Sequence, residues 1–313
     1  MAEVVSMRKA YGEALVALGK ANDKVVALSA DVSNSDHSYM FEAAFPERFF
    51  NVGIAEQSLV DVAVGFAYSG YIPFANTFAF LFATRALEMI RTHLCYGRAN
   101  VKLMGAYGGL SDSFDGPTHN SITDLAILRG LPHMTIVVPS DPIGVAKLLP
   151  QIADLEGPVY CRLNRNEVPV LFDTSYKPEI GKAVLVRPGS DVSIIAAGIM
   201  LPRSLEAADK LKASGISARV IEMHTIKPID REAIARAAEE TGAIVTAEEH
   251  SVVGGLGGAV AEVVSETKPV PVRRVGIQDR FAETGPYERV LDAYGMAVAD
   301  IVSAAEAALA VKR

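Results

Sequence analysis

The chain has 313 residues, 50% of them hydrophobic, with 30 Lys+Arg against 37 Asp+Glu and a net charge of −7. That length suits two domains with sizeable cores, and the acidic balance argues against a general nucleic-acid or membrane-surface role. No apolar run is long enough to span a bilayer, the start Met1-Ala2-Glu3-Val4 has no signal-peptide pattern, and Cys95 and Cys161 suit neither a disulfide framework nor a zinc site, so a cytoplasmic location is expected.

The first predicted element is an amphipathic helix from about Met7 to Leu18, followed by an apolar strand at Val25–Ser29. A further extended piece ends at Gly53. A helix then starts near Glu56 and runs through Leu59, Val62, Ala63, Phe66 and Ala67 at helical spacing. Strands follow at Val101–Met104, Thr135–Val138 and Val159–Arg162. They are nearly continuous in apolar character, as strands covered on both faces must be. From Asn166 to Gly189 the residues Pro169, Pro178, Pro188 and Gly189 punctuate a polar stretch that reads as a linker. Strands resume at Val192–Ala196, Ala218–Met223, Ala243–Ala247 and Val272–Ile277, with helices at Pro202–Ser214 and Asp230–Thr241 between them. The alternation predicts an α/β protein with two doubly wound sheets, a parallel one in residues 1–185 and a smaller one in 186–313. No internal repeat is evident.

Three segments carry the chemistry. In Asn51-Val52-Gly53-Ile54-Ala55-Glu56-Gln57 the acid falls in the first turn of a helix, where it also complements the helix dipole. In Thr77-Phe78-Ala79-Phe80-Leu81-Phe82 three phenylalanines could be core or a wall for a flat heterocycle. In Gly108-Gly109-Leu110-Ser111-Asp112-Ser113-Phe114-Asp115-Gly116-Pro117-Thr118-His119 the composition disfavours regular structure. This loop follows a strand, at the edge where open α/β sheets bind ligands, and it carries Asp115 and His119.

In this order the three segments resemble the pyrimidine-binding domain of the transketolase family, which includes transketolase, 1-deoxyxylulose-5-phosphate synthase and the beta subunits of 2-oxo acid dehydrogenases. The second half is similar to the family's carboxyl-terminal domain, including Glu248-Glu249-His250-Ser251 and the glycines that follow. The resemblance implies thiamine diphosphate as cofactor, with Glu56 as the activating acid. That carboxyl would hydrogen-bond N1′ of the aminopyrimidine, and the resulting imino tautomer takes the C2 proton. Phe78 matches the family's aromatic. The next stacking position falls on Leu81, so Phe80 or Phe82 is expected to substitute. Asp31, at the end of its strand, is expected to support cofactor or substrate polar atoms.

The resemblance also implies a substrate site. His119 and Asp115 match the Asp-Gly-Pro-Thr-His pattern that faces the ketose carbonyl and a neighbouring hydroxyl. Arg8, Ser35 and Arg165 fall on the positions of a sugar-phosphate clamp. Tyr107 stands where transketolases usually carry a phosphate-site histidine, and so brings no positive charge there.

The family's diphosphate-binding domain carries Gly-Asp-Gly, and that sequence does not occur in this chain. The resemblance therefore implies a partner, an amino-terminal transketolase subunit that grips the diphosphate and Mg²⁺. The expected assembly is a heterotetramer, acting on sugar phosphates and inactive as this chain alone. Two alternatives are a 2-oxo acid dehydrogenase beta subunit and a non-catalytic partner subunit. The first would lack Asp-Gly-Pro-Thr-His, and the second has no need of Glu56, Asp115 and His119. Gly254-Gly255-Leu256-Gly257-Gly258 does not have dinucleotide-fingerprint spacing, so close packing of a helix on neighbouring backbone is expected. His37, His93, His133, His224 and His250 are expected to be structural or solvent-facing.

Overall fold

In the computed structural model, which describes residues 3–312, the apolar runs become strands buried along their whole length. In chain order the strands are β1 (Val4–Ser6), β2 (Val25–Ser29), β3 (Phe49–Asn51), β4 (Ile72–Phe78), β5 (Lys102–Ala106), β6 (Thr135–Val137) and β7 (Val159–Arg162). They continue with β8 (Glu167–Pro169), β9 (Val184–Arg187), β10 (Val192–Ala196), β11 (Ala218–Glu222), β12 (Thr225–Lys227), β13 (Ile244–Ser251) and β14 (Val272–Ile277). A seven-stranded sheet has the order β12-β6-β7-β5-β4-β2-β3, and a five-stranded sheet has the order β14-β13-β10-β11-β9. All pairings in the two sheets are parallel except β12 on β6 and β9 on β11.

Side chains alternate across each sheet, and the core records that period of two. Val25 and Ala27 join one hydrophobic cluster, while Val26 and Leu28 join another on the opposite face. Each cluster draws on both sheets. Phe74 of β4 and Val192 of β10 belong to the first, Leu103 of β5 and Ile195 of β10 to the second. Helix starts follow ordinary capping chemistry. The Ser6 hydroxyl caps Met7–Ala21, Asp141 accepts from the amide of Gly144 at 2.6 Å, and Asp230 accepts from that of Ala233 at 3.0 Å.

Three features depart from the sequence reading. First, β4 lies inside the larger sheet, between β5 and β2, although Pro73, Asn76 and Thr77 break its apolar run. The buried Asn76 is satisfied by donating to the carbonyls of Leu28 and Phe74, both at 2.9 Å, and by accepting from the Tyr11 hydroxyl. Second, the stretch read as linker contains β8, which pairs antiparallel with β1, and β9, the edge of the smaller sheet. Third, β12 comes from the second half of the chain yet pairs with β6 of the first sheet.

The glycine-rich turn before the Leu256–Glu266 helix packs on a side chain rather than on backbone. Glu248 accepts from the amides of Leu256 at 2.7 Å and Gly257 at 2.8 Å. A methyl group at Gly255 would lie 2.1 Å from its Oε2. The helix N-terminus is thus already filled by a carboxylate of the same chain.

Candidate active site

Four neighbouring strands of the larger sheet, β7-β5-β4-β2, deliver the expected site residues from their carboxyl ends. Arg165 follows β7, Tyr107 follows β5, Phe78 ends β4, and Asp31 and Ser35 follow β2. Parallel strands point their chain exits to one edge, which is why residues far apart in sequence meet there.

The aromatic side chains form a row. His119 meets the Phe80 ring edge-on, with ring centroids 5.3 Å apart. Phe80 lies 6.3 Å from Phe78, nearly parallel, and Phe78 stacks on Tyr107 at 4.7 Å. Beyond Tyr107 stand two guanidinium groups, those of Arg8 and Arg165, each 5.2 Å from the centre of its ring. Arg8 also donates to the Tyr107 hydroxyl at 3.3 Å and to the backbone carbonyl of Ser35. It is therefore the Ser35 main chain that Arg8 touches. Tyr107 holds a left-handed backbone, φ 61°, which turns the chain from β5 into the Gly108–His119 loop.

Phe82 does not belong to the row. It has no exposed surface and packs edge-on against Tyr160 in the core, because the Ala79–Ala83 helix turns it inward. Leu81 is likewise buried. Phe78 and Phe80 are half-buried, so each keeps some exposed ring surface although Phe78 gives one face to Tyr107.

Glu56 is the first residue of the Glu56–Tyr68 helix and is only 1% exposed. Its Oε2 accepts from Arg85 Nη1 at 2.9 Å. Just before this helix, Asp31 accepts from Asn51 Nδ2 and Asn51 Oδ1 accepts from the amide of Gly53, both at 2.9 Å. Asp31 therefore braces the turn that delivers Glu56, and its own backbone is left-handed at φ 62°.

Around the arginine pair lie two buried acids that the sequence reading did not single out. Arg165 Nη1 is 3.1 Å from Asp112 Oδ1, an ion contact without a directed hydrogen bond. Burial pushes the Asp112 carboxyl up to about 6, with Asp115 adding to the rise and Arg165 opposing it. Asp36 is fully buried and is pushed by that burial up to about 7, with Ser38 and Arg8 opposing. Burial also holds Arg8 below its usual value.

The second half of the chain supports this loop from behind. Glu249 accepts from the amide of Leu110 at 2.8 Å and from the Tyr287 hydroxyl at 2.9 Å, and Asn164 Nδ2 donates to it at 3.3 Å. Arg162 donates to the Glu249 carbonyl while its guanidinium pairs with the fully buried Asp124.

Comparison with known proteins decides the family. The models of the transketolase pyrimidine binding domain and the transketolase C-terminal domain match residues 3–170 and 181–301. The chain belongs to the transketolase family. It is 39% identical over 299 residues to a 6-deoxy-6-sulfo-D-fructose transketolase subunit of Clostridium sp., covering 96% of this chain and 93% of that protein. It is also 39% identical over 294 residues to an apulose-4-phosphate transketolase subunit of Phocaeicola vulgatus, covering 94% of each. A solved split-gene transketolase, an inactive beta4 tetramer, superposes with a TM-score of 0.93 at 48% identity, over 99% of this chain and 100% of that one.

Within that transketolase architecture, Arg85, Asp112, Asp36 and Glu249 are the site-lining or site-supporting residues that sequence reasoning missed. Asp112 and Glu249 lie in segments that the sequence reading quoted without giving them a role, Arg85 and Asp36 lie outside those segments, and only the meeting of strands and loops shows what each one faces. Of the remaining histidines, His37 lies near Arg8, and burial together with the Arg8 and Lys9 charges lowers its pKa. His250 and His224 are buried, and burial pushes His224 down to about 4. His93 pairs with Asp61 on the surface at 2.6 Å. Among the described residues no three His, Cys, Asp or Glu side chains come together as a metal would require, and no helix is long and apolar enough to cross a membrane.

Proposed function

We propose that this chain is the pyrimidine-binding half of a two-subunit, thiamine diphosphate-dependent transketolase. In this reading it helps transfer a two-carbon ketol unit from a ketose with a phosphate or comparable acidic terminus to an aldose acceptor. The observation that carries the reading is the row His119–Phe80–Phe78–Tyr107 ending on Arg8 and Arg165, with the buried Glu56 beside the same strand ends. A ketose is long, polar and charged at one end, and the row offers polar groups at one end and two cations at the other.

The residues fit the cofactor. Phe78 and Phe80 offer half-buried ring surface, and Glu56 is a buried carboxylate that Arg85 holds in one direction. When bound, thiamine diphosphate supplies the nucleophilic carbon and the electron sink that ketol transfer needs. Glu56 would hold the proton exchanged with the pyrimidine ring nitrogen. Phe78 and Phe80 would keep that ring flat and dry. His119 would donate to the substrate oxygen on which charge develops, and Asp115 would read a neighbouring hydroxyl. Arg8, Arg165 and Tyr107 would anchor the acidic terminus. The relatives differ at that end, one being named for a sulfo-sugar and another for a sugar phosphate.

In this reading the diphosphate and Mg²⁺ are gripped mainly by a partner subunit, and the active form is a heterotetramer with the divisions 1–185 and 186–313 as its two domains in this chain. The test is to co-express the chain with a diphosphate-binding partner and assay ketol transfer with thiamine diphosphate, Mg²⁺ and a panel of ketose donors. Transfer by the complex but not by this chain alone, and its loss in Glu56→Gln, is the expected result. Wild-type transfer by the Glu56→Gln complex would end the mechanistic assignment.

A further inference from the structure

The anion end of the row is less positive than two arginines suggest. Arg165 is faced by Asp112, which is 1% exposed and lies 3.1 Å away. Among the described residues neither Asp112 oxygen has a directed hydrogen-bond donor and Arg165 is its one close counter-charge, while burial and the neighbouring Asp115 both raise its carboxyl. Arg8 feels Asp36, which is fully buried and leaves its Oδ2 without a partner. Tyr107, between the two arginines, adds a hydroxyl and no charge.

A buried charge that loses its partner is costly. A doubly charged phosphate drawing Arg165 to itself would strip Asp112 of its counter-ion and set two negative charges beside it. A group with the same tetrahedral oxygens and one negative charge can take the same donors with half of that repulsion. Resting on the function proposed above, we infer that Asp112 is a specificity-determining residue. It sets the subsite at Arg8, Tyr107 and Arg165 for a sugar terminus carrying a single negative charge, as a sulfonate does, over a doubly charged phosphate.

The test uses two ketohexoses identical but for a 6-sulfonate or a 6-phosphate, added to the partner complex at pH 7.5. Binding is read by calorimetry and transfer by kcat/KM. The wild-type complex is expected to bind the sulfonate at least about tenfold more tightly. Asp112→Asn keeps the shape and removes the charge, so it should shift the sulfonate-to-phosphate ratio by about tenfold toward phosphate. Equal or tighter wild-type binding of the phosphate overturns the inference. So does a ratio that Asp112→Asn leaves unmoved, or failure of both ligands to bind. The wild-type comparison needs no variant, so it stands if Asp112→Asn does not fold. Sulfonate binding with the expected preference but without ketol transfer would instead sink the proposed reaction and leave the subsite.

Discussion

Glu56 and Arg85 form an ion pair of 2.9 Å in which the acid is almost wholly buried and the arginine half-exposed. The pair links the first turn of one helix to the segment just after Phe80, so the carboxylate and the aromatic row are set by one local arrangement. Glu56→Gln should lower ketol transfer by about 10²–10⁴-fold while the far-ultraviolet dichroism of the chain stays native. Arg85→Ala acts only through Glu56. It should lower kcat by about tenfold, read by steady-state kinetics on the complex, and restoring a cation with Arg85→Lys should return part of the loss.

Arg8 and Arg165 touch the far end of the proposed substrate, away from the reacting carbon. Each alanine substitution should therefore raise donor KM by about tenfold or more and change kcat little. The two effects should not add, because both side chains rest on Tyr107. Initial-rate kinetics on the two single variants and the double variant decide this.

Asp124 and Arg162 are both buried, with Nε to Oδ2 at 3.0 Å, and Tyr160 donates to the same carboxylate at 2.7 Å. Removing one member strands a buried charge. Asp124→Ala should cost about 3–5 kcal/mol, measured as a lower urea midpoint. Adding Arg162→Met should recover part of that loss. A neutral Asp124→Ala would show that the buried pair does not support the fold.

Burial pushes the Glu222 carboxyl up to about 7 from an ordinary 4.5, while Tyr176 and Ser140 oppose the rise. A carboxyl raised in the folded state favours folding while it is protonated. That contribution is full below about 4.5 and is lost as pH rises through about 7. Glu222→Gln keeps the Tyr176 partner and cannot ionise. Its melting temperature relative to wild type should therefore rise between pH 5 and pH 8, by about 2–4 °C. Glu249, pushed by burial to about 7 as well, keeps some of the same slope in the variant.

Strands covered on both faces are readable in the sequence, because burial there demands continuous apolar residues. Val25–Ser29, Val159–Arg162 and Val192–Ala196 are buried throughout and observed with the bounds the sequence suggests; the edge strand Val272–Ile277 also keeps its bounds although Arg273 and Arg274 are exposed. The interior strand β4 is not readable in that way, since Asn76 contradicts the rule and is tolerated only because Leu28, Phe74 and Tyr11 satisfy it. Phe82 is misplaced for a related reason. Three phenylalanines in five residues do not say where the strand stops and the helix begins, and that change of period sends Phe82 to the core and Phe78 and Phe80 to the row.

The order of apolar runs, the acid opening a helix after Gly53, and the Asp-Gly-Pro-Thr-His loop are local facts, and local chemistry is enough to fix fold class and the family resemblance. Which charges face each other is not local. Asp112 meets Arg165, Arg85 meets Glu56, and Glu249 reaches Leu110 across 139 residues. Such pairs form only when parallel strands bring distant loops to one edge. The charge balance of the anion end, and with it the substrate that end prefers, is a property of the folded chain.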